Sequence, residues 1–329
     1  MPQERFLVTG ALGCIGAWVV RNLVREGAEP VVFDLASDPR RLKLIMTPDE
    51  LAKVTFVAGD ITDLAALERA LDEHAISNII HLAALQVPFC KADPPLGARV
   101  NVVGTVNVFD AVSRRKDRIG HVIYASSVAV YDAADAGAPG AVLQHGAAGH
   151  PTNLYGVYKQ ANEGTARIYW QDNKVASIGL RPYTVYGAGR DQGMTSLPTK
   201  AMFAAAVGQP YLIPFGGRGI FQYADDVAKI FIACARAPFE GAEIFNLSGS
   251  VVHMREIVEA IEAAAPASAG QITFTDAPLA LPEDFDATPL AALIGQPHYT
   301  ALKQGVAETV ELFRERVAEG AMAPDAMLK

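Results

Sequence analysis

Tyr155 and Lys159 are the residues of this sequence whose types and spacing most directly indicate chemistry. They lie four positions apart in the run Asn153-Leu154-Tyr155-Gly156-Val157-Tyr158-Lys159, so on a helix they would share one face. A phenol that acts as a base near neutral pH needs its pKa lowered from about 10 to about 7, which a nearby ammonium favours and burial opposes. The pair therefore predicts a proton-transfer site in which Lys159 lowers the pKa of Tyr155, although such pairs also arise on helices by chance.

A glycine-rich turn near the start of the sequence predicts a dinucleotide site. Arg5–Thr9 is a short apolar strand, and residues 17–24 have helical periodicity. Between them Gly10, Gly13 and Gly16 have the spacing G-x-x-G-x-x-G, which differs from the fingerprint G-x-G-x-x-G and is also compatible with an ordinary turn. Glycines here would let the backbone approach a pyrophosphate, to which the helix N-terminus would offer unpaired N–H groups.

An acidic residue ends the second predicted strand and bears on the choice of cofactor. Residues 30–33 are apolar, and Asp34 follows them directly. A carboxylate at this position accepts hydrogen bonds from the adenosine ribose and repels a 2′-phosphate, so the sequence favours NAD over NADP. Arg40 and Arg41 lie a few residues on, and a flexible loop could bring either of them to a phosphate.

Three further segments, at residues 54–61, 78–84 and 121–127, repeat the pattern of an apolar strand that ends in small or polar residues. Such strands, alternating with helices, predict an α/β fold with a Rossmann-type, doubly wound parallel sheet covered on both faces. Ligands bind at the carboxyl ends of such strands. The residues placed there are Gly10, Asp34, Asp60, Ala83 and Ser127.

Eight segments carry recognisable motifs in order along the chain. They are T-G-A-L-G-C-I-G at residues 9–16, Asp34, G-D-I-T-D at 59–63, H-L-A-A at 81–84, N-V-V-G-T at 101–105, Y-A-S-S-V-A-V-Y at 124–131, Y-G-V-Y-K at 155–159 and L-R-P-Y-T-V-Y-G at 180–187. Together they resemble the extended short-chain dehydrogenase/reductase family, the NAD-dependent epimerase/dehydratase group, across roughly residues 5–260.

The resemblance implies roles for the matching residues. Ser127, Tyr155 and Lys159 would be catalytic, with Ser127 bonding the reacting oxygen and Lys159 also holding the ribose hydroxyls. Ser127 is preferred to Ser126 because the family's catalytic hydroxyl lies four residues before the tyrosine that is here Tyr131. Cys14 and Ile15 would line the pyrophosphate turn, Asp60 and Ile61 would flank the adenine, Leu82, Ala83, Ala84 and Asn101 would line the cofactor channel, and Tyr183 would lie beside the nicotinamide; with Gly10, Gly13, Gly16, Asp34, Tyr155 and Lys159 these are the expected cofactor-binding residues.

The composition is compatible with an enzyme that acts on small molecules. The 329 residues can bury a large core, and Gly, Pro and charges interrupt each apolar run before it could span a bilayer. A net charge of −8 with no clustered basic face argues against nucleic acid. Neither the seven histidines nor the three cysteines have metal-ligand spacing, so no metal is expected. With no room for a signal peptide before the first strand, a cytoplasmic location is expected.

The composition changes after Gly187, where glycines and prolines separate predicted helices at 197–207, 254–265 and 302–317. We expect residues 1–186, with a return segment at about 220–247, to form the NAD-binding domain. Residues 187–219 and 248–329 would form a smaller α/β substrate domain. Asp225 and Asp226 are expected to cap the helix that begins beside them.

Departures from the family's pattern bear on the substrate. The family's dehydratases place an acidic pair directly after the catalytic hydroxyl, where this sequence has Val128 and Ala129, so dehydration by that route is disfavoured. Its nucleotide-sugar enzymes hold a diphosphate with two arginines; the first position is here Gly219, beside Arg218, and no arginine occurs between Arg255 and Arg314. The site is therefore expected to suit a less charged molecule.

Three hypotheses about function follow. The preferred one is an NAD-dependent dehydrogenase acting on a hydroxyl of a small sugar, polyol or sugar acid. The alternative is a nucleotide-sugar 4-epimerase with tightly bound NAD, and the third is a degenerate binding protein, which the intact Ser127, Tyr155 and Lys159 disfavour. The resemblance also implies a homodimer built on helices at 97–114 and 155–172, which carry more apolar residues than one buried stripe requires.

Overall fold

The computed structural model describes residues 4–328, except for residues 136, 139 and 280. The strands are β1 Arg5–Thr9, β2 Glu29–Asp34, β3 Thr55–Ala58, β4 Asn78–His81, β5 His121–Ala125, β6 Val142–Leu143, β7 Ala176–Arg181, β8 Thr184–Tyr186, β9 Tyr211–Ile213, β10 Arg218–Tyr223, β11 Ala242–Asn246, β12 Ser250–His253, β13 Ile272–Phe274 and β14 Asp284–Phe285. The α-helices are α1 Cys14–Arg25, α2 Arg40–Ile45, α3 Pro48–Leu51, α4 Leu64–Glu73, α5 Val87–Ala92, α6 Pro94–Ala98, α7 Gly104–Ser113, α8 Leu154–Asn173, α9 Leu197–Ala206, α10 Ala224–Arg236, α11 Met254–Ala264, α12 Thr288–Ile294 and α13 Leu302–Ala318.

A seven-stranded sheet forms the centre of the molecule, with the strand order β11-β7-β5-β4-β1-β2-β3 and every neighbouring pair parallel. Its strand residues alternate between two cores: Phe6 and Val8 of β1 belong to one apolar cluster, and Leu7 between them belongs to the other. Helices α1 and α10 cover the first face, and α4, α7 and α8 cover the second. The predicted doubly wound fold is confirmed, and its continuously apolar strands are explained by burial on both faces.

Smaller elements lie beside the carboxyl ends of the central strands. Strands β8, β10 and β12 form a three-stranded sheet, while β9 pairs with β13 and β6 pairs with β14. Helices α9, α11 and α13 pack there and match the predicted helices. Strand β11, within the predicted return segment at about 220–247, pairs with β7 at the edge of the central sheet. The domain boundaries themselves stay a prediction.

Asp225 and Asp226 do not cap helix α10, so that prediction was wrong. The helix begins at Ala224 after Tyr223, and both carboxylates lie in its first turn. Asp225 accepts a hydrogen bond from Asn22 Nδ2 at 2.8 Å, and Asp226 accepts one from Thr300 N at 2.6 Å. The two residues therefore join α10 to α1 and to the segment before α13. In the described part of the chain, no helix combines the length and the apolarity needed to cross a bilayer.

Candidate active site

A cleft of about 1300 Å³ opens where the central strands end. Its lining includes the predicted residues Gly10, Gly13, Cys14, Ile15, Gly16, Asp34, Asp60, Ile61, Leu82, Ala83, Ala84, Ser127, Tyr155, Lys159 and Tyr183. The structure thus brings together residues as distant in the sequence as Gly10 and Tyr183, because parallel strands place their carboxyl ends on one edge.

The glycine turn leaves the start of α1 open to an anion. Gly10 has a φ of +66°, and a Cβ there would lie 2.5 Å from Ala83 N. A Cβ on Gly16 would lie 2.5 Å from the Gly10 carbonyl oxygen, so the close approach of helix and strand requires glycine. Helix α1 begins at Cys14 with no side-chain cap on its N-terminus. Its first N–H groups are therefore available to a phosphate, as a bound dinucleotide requires.

Cys14 places no negative charge beside those N–H groups. Burial raises the pKa of its thiol to about 11, although Arg190 and Arg41 oppose the shift. The thiol is therefore neutral at physiological pH and is compatible with a phosphate.

The carboxylate of Asp34 is held in a fixed position at the end of β2. It accepts hydrogen bonds from Leu12 N at 2.9 Å and from Ala36 N at 3.0 Å. The glycine turn and the strand end are thus tied together, and the negative charge lies where an adenosine ribose would bind. This geometry fits NAD.

Arg40 and Arg41 are engaged by a distant acidic residue. Arg41 donates to Asp191 Oδ1 from Nη2 at 2.6 Å and to the Leu12 carbonyl from Nη1 at 2.8 Å. Arg40 donates to Asp191 Oδ2 at 3.1 Å. Asp191 binds both guanidinium groups, so a 2′-phosphate would have to compete with this carboxylate for them.

Asn101 lies behind the cleft wall, which corrects its expected place on the cofactor channel. It is 1% exposed and belongs to a π-helical turn over Arg99–Val103. Its Oδ1 accepts from Leu85 N at 2.7 Å, and its Nδ2 donates to the Leu85 carbonyl at 2.9 Å. Asn101 therefore positions the segment after β4 that forms the channel wall.

Helix α8 carries Tyr155 and Lys159 into the cleft. It begins at Leu154, and Asn153 caps it by accepting from Gly156 N at 3.0 Å. The Lys159 ammonium lies 5.6 Å from the centre of the Tyr155 ring and donates to the Ala125 carbonyl at 2.6 Å. Ser127 also lines the cleft, close enough to the Tyr155 phenol to lower its pKa. The predicted catalytic group is thus assembled as one cluster.

The pKa of Tyr155 shifts in the direction opposite to that expected from Lys159. Burial raises the pKa of the phenol, and the hydrogen bond with Ser127 and the charge of Arg190 only partly oppose the shift. Burial also lowers the pKa of Lys159 to about 8, against the negative charge of Glu163. The ammonium bonds to the Ala125 carbonyl rather than to the phenol, so desolvation outweighs the attraction that the spacing predicts.

A buried ion pair that the sequence did not predict lies behind Ser127. Arg181 binds Glu163 with both ends of its guanidinium, at 2.7 Å each, and the two side chains are 8% and 9% exposed. Ser126 Oγ donates to Glu163 at 2.5 Å, and Arg181 also donates to the Tyr131 hydroxyl. The network thus holds Ser126 and Tyr131, which precede and follow Ser127 in the chain. One signal in the sequence was available, because Glu163 lies four residues after Lys159 on the same helix face.

Tyr183 forms a neutral wall of the cleft. It is 7% exposed, and its ring centre lies 5.9 Å from that of Phe285. Burial raises the pKa of its phenol far above the ordinary value. Tyr183 therefore offers an aromatic surface and no charge.

Comparison with known proteins identifies the family to which this sequence is similar. Residues 6–248 match the family described as NAD dependent epimerase/dehydratase family. UDP-glucose 4-epimerase of Mycolicibacterium smegmatis is 30% identical over 328 residues, which cover 95% of this chain and 99% of that protein.

Solved structures share the fold. The UDP-glucose 4-epimerase of Thermus thermophilus in complex with NAD superposes with a TM-score of 0.78 at 24% identity, covering 94% of this chain and 99% of that one. L-threonine dehydrogenase from Clostridium difficile superposes with a TM-score of 0.82 at 19% identity, covering 95% and 98%. At these identities the superpositions bear on the fold alone.

Proposed function

Because this enzyme belongs to the NAD-dependent epimerase/dehydratase family, with NAD as its cofactor, we propose that it is a dehydrogenase of a small sugar, polyol or sugar acid. NAD, when bound, supplies the acceptor for hydride. In the proposed reaction Ser127 holds the reacting hydroxyl and Tyr155 removes its proton, for which the positively charged nicotinamide of bound NAD would favour the phenolate against the effect of burial. Lys159 supplies the positive charge behind Tyr155 and holds the ribose.

The observation that carries this proposal is the apolar character of the substrate end of the cleft. From residues 248–328 as described, only Leu279 and Leu281 reach the cleft lining. Arg218 is exposed and borders a separate small depression, and Arg314 donates to the Ala264 carbonyl and to Glu311. A sugar diphosphate would need cations from this part of the chain. An uncharged or singly charged substrate would not.

A second candidate is a nucleotide-sugar 4-epimerase that uses the same Ser127, Tyr155 and Lys159. It is favoured by the 30% identity to the UDP-glucose 4-epimerase of M. smegmatis over nearly the whole of both chains. In that reaction the hydride returns to the opposite face of the sugar ring, and no net NADH forms.

Net NADH formation separates the two candidates. The enzyme is incubated with NAD and a panel of free sugars, polyols and sugar acids, and in parallel with UDP-glucose and UDP-galactose. We expect NADH with at least one small substrate and no interconversion of the UDP-hexoses. Interconversion without net NADH would establish the epimerase instead.

We also propose a homodimer in the cytoplasm. Apolar side chains are exposed on the outer face of α8 and on the π-helical turn before α7: Val103 at 46%, Val157 at 43% and Ile168 at 44%. A second copy that packed its α7 and α8 against these residues would bury them in a four-helix interface. Light scattering at micromolar concentration should give twice the mass of the chain, and a monomeric mass would contradict the proposal.

A further inference from the structure

Arg190 is a cation in the cleft whose hydrogen bonding is incomplete. It lies in the connection between β8 and α9 and lines the cleft. Its Nη2 donates to Thr195 Oγ1 at 2.7 Å, which fixes one end of the guanidinium. Its Nε is buried and has no hydrogen-bond partner within the described residues. A buried donor without a partner costs free energy unless a ligand satisfies it.

The charge of Arg190 is also without a partner. The neighbouring carboxylate, Asp191, is bound by Arg40 and Arg41. Across residues 4–328 as described, no Asp or Glu forms an ion pair with Arg190. The arginine is therefore free to bind an anion from the cleft.

The loop that carries Arg190 starts against helix α1, because Trp18 Nε1 donates to the Ala188 carbonyl at 2.9 Å and a Cβ on Gly189 would lie 3.6 Å from Arg41 Cδ. Burial raises the pKa of both Cys14 and Tyr155, and the charge of Arg190 opposes both shifts. On Cys14 its effect exceeds that of Arg41, whose guanidinium itself reaches the Leu12 carbonyl. The contacts of Ala188 and Gly189 thus bring Arg190 to the side of the cleft on which α1 begins with uncapped N–H groups, in agreement with its effect on Cys14.

The loop that carries Arg190 reaches the other wall of the cleft. Gly193 has a φ of +82°, and a Cβ on it would overlap Gln86 Oε1 and lie 3.9 Å from Arg190 Nη2. Gln86, which follows β4, and Arg190 thus flank Gly193, and all three line the cleft. The loop that carries Arg190 therefore meets the segment after β4 within the cleft.

We propose that Arg190 binds the diphosphate of NAD from the side opposite the glycine turn. The N-terminus of α1 and the Arg190 guanidinium both offer N–H donors and positive charge, and a diphosphate between them would satisfy both. A substrate carboxylate is the competing anion. The proximity of Arg190 to Cys14 favours the diphosphate, because Cys14 belongs to the turn that the pyrophosphate approaches.

Ligand binding without catalysis tests the proposal. Calorimetric titrations compare NAD, ADP-ribose and adenosine on the wild type, on Arg190→Gln and on Arg190→Lys. We expect Arg190→Gln to weaken NAD and ADP-ribose by roughly 10- to 100-fold, as for loss of a charged hydrogen-bond donor, and to leave adenosine unchanged. Arg190→Lys should give an intermediate loss, because it keeps the charge without the two-pronged geometry.

Arg218→Gln is the matched control, since it removes an exposed arginine outside the main cleft, and it should change none of the three affinities. Unchanged NAD affinity in Arg190→Gln would overturn the proposal, and a raised KM for an acidic substrate would then assign Arg190 to the substrate. Equal loss of all three ligands, adenosine included, would also overturn it and indicate a role in holding the loop.

Discussion

The two ends of the cleft are built in different ways. At the cofactor end, the uncapped start of α1, the fixed Asp34 carboxylate and the bound pair Arg40 and Arg41 form a polar site in which charges are already held. At the substrate end, Leu281 packs against a cluster that includes Tyr183. The first end therefore offers hydrogen bonds and charge to its ligand, whereas the wall that Leu281 and Tyr183 form at the second end offers apolar surface.

The largest expected effect is on kcat, from a substitution of Tyr155, which lies where the two ends meet. Tyr155→Phe removes only the phenolic oxygen, so kcat should fall by about 10²-fold or more, as for loss of a general base. NAD affinity should stay nearly unchanged, because the cofactor is held by the glycine turn, Asp34 and Lys159. Steady-state kinetics and NAD titration measure the two quantities separately. Activity within a few-fold of the wild type would remove Tyr155 from its proposed role.

A pH effect on stability is expected from the layer beneath the glycine turn. His81 is bonded to Thr9 Oγ1 at 2.7 Å and Thr105 Oγ1 at 3.0 Å, and burial lowers its pKa from 6.5 to about 3. Below pH 6.5 the unfolded chain therefore binds a proton that the folded protein does not. This histidine should lower the free energy of unfolding by about 2 kcal/mol between pH 6.5 and pH 5.

Urea unfolding at several pH values tests this effect. His81→Asn should be less stable than the wild type at pH 7.5 but should lose less stability on acidification. His298→Asn, which changes an exposed histidine, should keep the wild-type pH dependence. An equal acid loss in wild type and His81→Asn would show that other groups control it.

Asp34 tests whether the cofactor end selects by charge. Asp34→Ala removes the ribose acceptor and the repulsion toward a 2′-phosphate, so the preference for NAD over NADP should narrow by about 10-fold, equivalent to about 1.4 kcal/mol. Initial rates with the two cofactors measure the ratio. Asp38→Ala is the control, since Asp38 also lines the cleft but accepts from Arg40 N at 3.1 Å. A wild type that prefers NADP would contradict this interpretation of the strand end.

The cofactor end could be predicted from the sequence because its signals are local. Each of these signals is contained in one short segment of the sequence: the glycine spacing, the acidic residue that ends β2, and the i,i+4 pair on α8. The sequence did not reveal that Asn101 supports the wall, nor that Arg181 pairs with Glu163, because these contacts depend on how separate elements pack. The prediction that Lys159 lowers the pKa of Tyr155 was wrong for the same reason, since burial of the phenol depends on the whole fold.

The smallest expected effect concerns the substrate end, which the sequence described least. Leu281 borders the cleft beside the cluster of Tyr183 and Phe285, and Leu281→Ala would remove apolar contact without touching the catalytic group. The KM for the substrate should rise by about 5- to 10-fold, in line with about 1–1.4 kcal/mol for lost apolar contact, while kcat and the KM for NAD stay constant. Leu212→Ala is the control, since Leu212 is 57% exposed and lies outside the cleft lining, and it should change none of these three values. If Leu281→Ala instead weakened NAD, the two ends would share this wall, and the division between a polar cofactor end and an apolar substrate end would not hold.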